Sequence, residues 1–502
     1  MLSDQAPSTA PRALPARWWI LGALVLAVVT FDLNLTMINV ALPTLATELG
    51  ASSAELQWFS SAFSLMVAAT LLPAGALGDR YGPKRPMLIA LITLGVTALL
   101  CTQAASPGQL IAGQLVLGAS AGFLPALSLA LVKMLFPGSE LTRALGIWSV
   151  GMTAGIPLGP IVGGYFTEQF GWTSIYVLNI PLVAISAVML AVLLPRQYGS
   201  TRATLDLPGA LLSSGAIASL VYGFTAAGEV GWISPHALAP IGAGAAILGL
   251  FIARLIRTDN PIIDLSLFRS RQFRSGVALA TLVTFTLMGA VFTLPQYFHV
   301  LYGSDAMETG LRLMPIVVGL LGGVAVTGRL RAFLPRNAVI STGFALLALA
   351  TALGAVTAGD ERYAITALWL AVAGAGIGFA MPASIDLAMG SAPERLSGVA
   401  SGTLQSIRQV GGTLGIAILG TLLAGAYSQR VSIAGLSATD AAAVQQTAAR
   451  GLEVAGKHGD SALAASIRDA FATGMGTTLW ASAGIALVGV AVAILFARTN
   501  TR

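Results

Sequence analysis

The chain has few charged residues, one cysteine and three histidines. Charged residues make up 10% of its 502 positions, hydrophobic residues make up 56%, and the mean hydropathy is +0.81. So few polar side chains could not cover a water-facing surface, which excludes a soluble globular protein. The histidines, His236, His299 and His458, are far apart and no P-loop is present, which argues against a membrane enzyme and against ATP hydrolysis. We interpret the single Cys101 as an inert structural thiol.

Long apolar runs take up most of the sequence. Each is roughly twenty residues long, the length that a helix needs to cross a bilayer, and continuous apolar runs favour helices over a β-barrel. The sequence therefore predicts a polytopic membrane protein. The fourteen predicted spans are 18–42, 56–77, 86–105, 109–133, 144–166, 173–194, 206–227, 236–256, 276–300, 308–328, 335–357, 363–388, 397–426 and 477–498.

Lysine and arginine residues are distributed unevenly over the connections between these spans. With the N-terminus inside, twenty of the 27 fall on inner segments and two on the short outer loops. The positive-inside rule then predicts that both termini lie in the cytoplasm, in a multi-pass protein of the cell inner (plasma) membrane, and that residues 427–476 form an outer loop. The basic residues form no single patch, so we interpret the net charge of +6 as a topology signal and expect no nucleic-acid partner. The inward loops are expected at 78–85, 134–143, 195–205, 257–275, 329–336 and 389–396.

Two sequence segments recur eight predicted spans apart. Residues 78–85 are echoed by residues 328–336, and residues 140–146 are echoed by residues 394–398. Two six-helix halves with two extra helices between them would give this offset, and repeated halves around a midplane site are typical of secondary transporters. The predicted fold is thus all-α integral membrane: 14 transmembrane helices in two six-helix bundles with an inserted helix pair. The regions are 1–17 (cytoplasmic N-terminus), 18–194 (N-terminal bundle), 195–275 (inserted pair and cytoplasmic linker), 276–498 (C-terminal bundle, with the outer loop 427–476) and 499–502 (cytoplasmic tail).

Four motifs give the chain a family resemblance. Residues 75–85 read GALGDRYGPKR, residues 155–164 read GIPLGPIVGG, and two further motifs occupy 171–181 and 398–412. Together they resemble the fourteen-span drug:proton antiporters of the major facilitator superfamily. The resemblance implies an alternating-access transporter of the multidrug efflux type.

Two of these motifs supply candidate residues. In the first motif, glycines permit a tight turn and Asp79 can bind nearby positive residues or a helix N-terminus, and the resemblance implies a gate. In the second, small residues let helices approach closely, prolines kink the span, and the resemblance implies antiport rather than symport. The candidates for the gating motif are Gly75, Gly78, Asp79, Arg80, Gly82, Lys84 and Arg85. The candidates for the antiporter motif are Gly155, Pro157, Gly159, Pro160, Gly163 and Gly164.

Two positions depart from the family pattern. The first span keeps Thr36 and Asn39, but Asn34 stands where the resembled family carries an aspartate, and Gln114 stands where it carries an intramembrane arginine. Loss of both charges is electrically balanced, whereas loss of one would strand the other in a low dielectric. We keep all four residues as proton or substrate candidates. Because neither Asn34 nor Gln114 carries a charge, the proton-relay assignment that is usual in the resembled family does not transfer directly to them.

Three ionisable residues remain within the predicted spans, and residues of this kind are costly in a membrane and functional by default. Asp32 lies in the middle of span one, on the helical face of Thr36 and Asn39. Asp386 lies near the cytoplasmic end of span twelve, where either a solvated or loop-pairing role or a transport role fits. Arg408 in span thirteen could pair with a carboxylate, bind an anionic substrate or hold a loop carbonyl.

The sequence therefore predicts a secondary active transporter that exports small hydrophobic or cationic compounds, such as drugs, antibiotics or antiseptics, by proton antiport. The alternatives are a dedicated metabolite exporter, a facilitator without proton coupling, and a non-transport membrane protein such as a channel or receptor. We expect no enzymatic activity, no cofactor and no metal. The expected partners are a small-molecule substrate, protons and the lipid bilayer, and a periplasmic adaptor is left open.

Overall fold

The computed structural model describes residues 16–49, 51, 53–136, 139–195, 206–258, 262–330, 333–360 and 362–498, and within these ranges the regular secondary structure is helical. The side chains of Asn39 and Pro157, two of the predicted site residues, lie outside what the structure describes. The helices are α1 (Arg17–Glu48), α2 (Ser53–Tyr81), α3 (Lys84–Cys101), α4 (Pro107–Ala121), α5 (Phe123–Leu135), α6 (Ser139–Phe170), α7 (Ser174–Leu193), α8 (Leu207–Val230), α9 (Pro235–Arg257), α10 (Ser266–Arg269), α11 (Arg271–Tyr302), α12 (Ala306–Arg312), α13 (Met314–Leu330), α14 (Arg336–Val356), α15 (Tyr363–Ser391), α16 (Ser397–Ser428), α17 (Ala438–Gln446), α18 (Ala448–His458) and α19 (Ser461–Arg498).

The helices account for the predicted number of membrane crossings. Thirteen are long and apolar enough to cross a bilayer, and α6 makes a fourteenth when its two stretches, Glu140–Gly155 and Leu158–Phe170, count as one bent span; these counts cover the described residues. The stretches meet at 42°, as expected of a span that contains prolines. Helices α4 and α5 together form one crossing, Pro107–Leu135, interrupted at Gly122.

The predicted outer loop is shorter than the sequence indicated. Helix α19 begins at Ser461, well before the expected start at 477, and α17 and α18 occupy much of the remaining interval. Helix α18 packs against α19 and α11 through Gly451 and other buried small residues. The first turns of α19 carry charged residues, so the hydropathy pattern that marks a span begins later than the helix itself.

The chain forms two six-span bundles, α1–α7 and α11–α19, with the pair α8 and α9 between them in sequence. In the first bundle α1 packs on α6 and α7, and in the second α11 packs on α15, α16 and α19. Helix α8 packs on α9 and contacts both α2 and α16, one helix from each bundle. Its Ser214 hydroxyl donates a 2.5 Å hydrogen bond to the Ala69 carbonyl, which ties the inserted pair to the first bundle.

The two bundles meet through the four helices that carry the repeated sequence segments. Helix α2 packs on α16 where a Cβ atom at Gly75 would overlap the backbone of Gly398. Helix α6 packs on α13 where a Cβ atom at Gly146 would lie 2.5 Å from Val324 Cγ1. These pairs are spans two and thirteen and spans five and ten. With an offset of eight spans, each contact joins the second span of one half to the fifth span of the other half. Backbone approach of this kind needs glycine or another small residue.

Candidate functional site

Asp79 in the first motif binds the amino end of a helix in the other bundle. Its Oδ1 accepts a hydrogen bond from the Gly398 N–H and its Oδ2 accepts one from the Val399 N–H, each at 2.7 Å. Both amides belong to the first turn of α16, where unpaired N–H groups and the helix dipole favour an anion. A Cβ atom at Gly398 would lie 2.5 Å from Asp79 Oδ1, which explains the glycine at that position. The helix-N-terminus role considered for Asp79 is therefore the one that the geometry favours.

Further contacts join the bundles at the same end, which we call the basic end and define by residues 78–85 and 392–399. The Lys133 ammonium donates to the Ala392 carbonyl, just before α16. The Ser401 hydroxyl donates to the Ala126 carbonyl at 2.7 Å, from α16 to α5. The basic ends of the two bundles are therefore held together in this structure.

The other charged residues of the motif make different contacts. Lys84 donates to the Ala191 carbonyl at 2.8 Å, and so ties α3 to the end of α7 in its own bundle. The Arg80 guanidinium lies 5.3 Å from the centre of the Tyr81 ring. Arg85 is exposed beside an apolar groove on the outside of the bundle. Of the charged residues in the predicted gating motif, Asp79 thus contacts the other bundle, whereas Lys84 and Arg80 make contacts within their own bundle.

Asp386 belongs to the basic end rather than to the middle of the membrane. Its Oδ2 accepts a 3.1 Å hydrogen bond from the Thr142 hydroxyl of α6 and lies 3.3 Å from the Arg336 Nη2 atom of α14. The carboxylate is 3% exposed, and Thr142 is part of the opposite bundle. Of the roles considered for Asp386, this geometry favours pairing at a loop.

Asp32 lies in the interior with an incomplete set of partners. It is 2% exposed, and its Oδ2 has no hydrogen-bond partner among the described residues. A Cβ atom at Gly155 would lie 2.6 Å from the Asp32 Cβ, so this glycine makes room for the aspartate on α6. An unpartnered carboxylate oxygen at this depth is costly, which makes Asp32 the strongest candidate for a group that changes its charge.

Arg408 is the charged residue that interacts electrostatically with Asp32, across the interface between the bundles. It is 7% exposed; its Nε donates a 2.9 Å hydrogen bond to the Thr284 hydroxyl and its Nη1 donates to Gln405 Oε1 at 2.5 Å. In the described part of the chain no hydrogen bond or ion pair joins Arg408 to Asp32. The two opposite charges therefore attract each other across the interface, while the hydrogen bonds of the arginine go to neutral partners.

The two neutral residues at the departing positions both bind α7. Asn34 and Asn179 form a reciprocal amide pair, with N···O distances of 3.1 and 3.0 Å. Gln114 Nε2 donates to the Tyr176 hydroxyl at 2.8 Å. Asn34 thus faces away from Asp32, and both amides contribute to packing within the first bundle. Asn179 belongs to the motif at 171–181, so the amide pair gives this residue of the motif a structural role.

The glycines of the antiporter motif face α1 directly. The Thr36 side chain occupies the space that a Cβ atom at Gly159 would need, and its hydroxyl donates to the Asp32 carbonyl at 2.9 Å. A Cβ atom at Gly163 would lie 3.0 Å from Met37 Cγ. These residues therefore set the distance between α1 and α6 beside Asp32.

Several site residues were not predicted from the sequence. Gln405 lies three residues before Arg408, so the helical spacing offered a signal. Thr142 and Thr284 carried none, because each reaches its partner through the packing of distant helices. In the described ranges no group of three or more His, Cys, Asp or Glu side chains could hold a metal ion.

Comparison with known proteins gives the family. The model of the Major Facilitator Superfamily matches residues 24–416. The tetracenomycin C resistance and export protein of Streptomyces glaucescens is 29% identical over 97% of this chain and 93% of its own. The methyl viologen resistance protein SmvA of Salmonella typhimurium is 31% identical over 88% of this chain and 89% of its own.

A solved structure confirms the fold. The human organic anion transporter MFSD10 superimposes with a TM-score of 0.61 at 15% identity, over 95% of this chain and 99% of that one. Likeness at this identity shows the architecture alone. The family model matches most of the sequence, and the described residues form many apolar helices. This multi-pass membrane protein therefore belongs to the Major Facilitator Superfamily.

Proposed function

We propose that this protein is a secondary active exporter of small hydrophobic or cationic compounds, driven by proton antiport. The observation that carries the proposal is Asp32, a buried carboxylate with one oxygen that has no hydrogen-bond partner among the described residues and with an electrostatic interaction with Arg408. The names of relatives that match most of the chain, an export protein and a methyl viologen resistance protein, support export of compounds of this class. Methyl viologen is a cation, which is the charge that a buried carboxylate attracts.

In this mechanism Asp32 binds either a proton or a cationic substrate. A carboxyl group changes its proton affinity when its access to water changes, so alternate exposure of Asp32 to the two sides exchanges one ligand for the other. Arg408 supplies the counter-charge while Asp32 is ionised. When Asp32 is protonated, Thr284 and Gln405 hold the guanidinium and limit the cost of an unpaired buried cation.

The basic end faces the cytoplasm in this proposal, with both termini on that side of the cell inner membrane. The contacts of Asp79, Lys133 and Thr142 with the second bundle then close the cytoplasmic entrance. They have to separate when substrate enters from the cell. Export proceeds as the basic end alternates between this closed arrangement and an open one.

The test is efflux from proteoliposomes that contain the purified protein. Export of a fluorescent cation against its gradient is expected when a pH gradient is imposed across the vesicle membrane, and it should stop when an ionophore collapses that gradient. Equal rates with and without the pH gradient would contradict proton coupling and favour a facilitator. A vesicle that contains no protein gives the background rate.

Export of an anionic compound is the second candidate function. Arg408 is a buried cation whose recorded hydrogen-bond partners, Thr284 and Gln405, are both neutral, so it could bind a substrate carboxylate. Matched cationic and anionic dyes distinguish the two candidates. Loss of anion export in an Arg408→Gln variant, with no cation export by the native protein, would favour this second function.

A further inference from the structure

An apolar groove runs along the outer surface of the first bundle, at the basic end. Its volume is about 540 Å³, within the size range of small-molecule pockets, and it lies between α2, α3 and α4. Ile89 is 65% exposed and Val116 is 43% exposed, so the groove opens toward the lipid side of the bundle rather than toward the bundle interface. Phe123, at the break between α4 and α5, forms part of its wall.

An exposed cation lies beside this groove. Arg85 is exposed and makes no hydrogen bond or ion pair with any residue that the structure describes, whereas its neighbour Lys84 is bound to carbonyls at the end of α7. Tyr81, also in the lining, is 45% exposed and presents a phenol at the same level. None of the described residues that line the groove is acidic, so an anion meets no repulsion there.

We propose that this groove binds an anionic phospholipid of the cytoplasmic leaflet. One acyl chain lies between Ile89 and Val116, and the phosphate binds the Arg85 guanidinium beside the Tyr81 hydroxyl. Basic pockets between transmembrane helices on the cytoplasmic side bind anionic head groups in this way. The positive charge and the opening toward lipid favour a phospholipid over a transported cation, which Arg85 would repel.

The site rests on the proposed cytoplasmic orientation of the basic end, but not on the proposed transport mechanism. It lies on the lipid face of the first bundle, whereas Asp32 and Arg408 lie at the bundle interface, so its test does not need a transport assay. The full-length protein is purified, delipidated and titrated with phosphatidylglycerol or with phosphatidylcholine of the same acyl chains, and bound lipid is counted by native mass spectrometry. A photoactivatable acyl chain then locates the bound lipid on the sequence.

Selective binding of phosphatidylglycerol is expected, with labelled peptides that contain Ile89 and Val116. Arg85→Gln should weaken this binding about fivefold, the scale expected of one cation at an anionic surface. Arg257→Gln removes another exposed arginine at the end of a helix and should leave the binding unchanged. Ala119→Trp fills the groove and should reduce labelling, whereas Ala246→Trp adds the same bulk on an exposed face of α9.

Three results would overturn the proposal. The first is equal binding of the two lipids by the native protein. The second is an equal loss in Arg85→Gln and Arg257→Gln, which would indicate a general charge effect. The third is labelling of the groove by a photoactivatable hydrophobic cation in preference to the phospholipid, which would indicate an entry path for substrate.

Discussion

The basic end and the membrane interior differ in how the oxygens of their buried carboxylates are paired. At the basic end, both oxygens of Asp79 accept backbone hydrogen bonds and the Asp386 carboxylate contacts Thr142 and Arg336. In the interior, one oxygen of Asp32 has no hydrogen-bond partner among the residues that the structure describes. Satisfied charges hold two bundles in one arrangement, whereas an unsatisfied charge gains free energy from any ligand that pairs with it. In the proposed mechanism the basic end therefore serves closure and the interior serves ligand exchange.

The largest expected effect is at Asp32. Asp32→Asn removes the group that exchanges a proton for substrate, so pH-gradient-driven efflux should fall to the rate of protein-free vesicles while downhill exchange persists. Adding Asn34→Asp to this variant should not restore efflux, because residue 34 faces Asn179 on α7. Gradient-driven efflux by Asp32→Asn with unchanged pH dependence would make Asp386 the next candidate and weaken the antiport proposal.

The contrast between Asp32 and Asn34 shows where sequence reasoning ends. Both lie in the first span and differ by two positions, which turns them toward opposite sides of the helix. The sequence predicted the span and named both residues, but which side meets α6 and which meets α7 depends on how distant helices pack. The same limit applies to Thr142 and Thr284, which are ordinary polar residues until α14, α15 and α16 are placed beside them.

Some features were predictable because a local rule determines them. The tight turn after α2 contains Gly82 with φ of +79°, a conformation that favours glycine, and the motif predicted a turn there. The spans could be predicted from apolar runs. The start of α19 could not, since the hydropathy of its polar first turns does not mark a membrane span. The groove beside Arg85 could not be inferred, because its shape depends on how α2, α3 and α4 pack in three dimensions.

The second largest effect is expected at Asp79. Asp79→Asn leaves an amide oxygen that can accept from one of the two N–H groups, and an NH2 group that cannot accept from the other. Two charge-assisted hydrogen bonds, each of about 1.5–3 kcal/mol, are then replaced by one neutral bond, which should shift the bundles toward an open basic end. In a Cys101→Ala background, spin labels at Tyr81→Cys and Ser391→Cys should report a larger population of long distances. Transport should fall about tenfold, within the range of typical coupling free energies.

Asp460 provides the matched control for this change. Its carboxylate caps α19 by accepting from the Leu463 N–H at 2.9 Å, but both residues belong to the second bundle. Asp460→Asn should therefore leave the label distances and transport rate close to those of the native protein. If Asp79→Asn behaved in the same way, the loop would have no part in closure.

A smaller effect is expected from packing beside Asp32. Gly155→Ala places a methyl group 2.6 Å from the Asp32 Cβ and 3.3 Å from the Val29 carbonyl oxygen, so α1 has to move. Overpacking of this kind costs about 1–3 kcal/mol, and both the thermal stability and the transport rate should fall. Gly22→Ala in α1 is the control, since nothing lies within 4 Å of the methyl group that it would add. Equal loss in both variants would mean that the effect does not come from crowding beside Asp32.

The smallest expected effect is at Thr142. A charged cap joins α2 to α16, whereas the Thr142 hydroxyl of α6 donates a neutral-to-charged hydrogen bond to Asp386 of α15. Thr142→Val removes one hydrogen bond of about 1 kcal/mol and leaves Arg336 paired with Asp386, so transport should fall only about fivefold. Thr153→Val, which removes a hydroxyl that binds its own helix, is the control. In a double-mutant cycle, Thr142→Val should add little to Asp386→Ala, because each change removes the hydrogen bond between these two side chains; additive losses would mean that Thr142 acts through another neighbour.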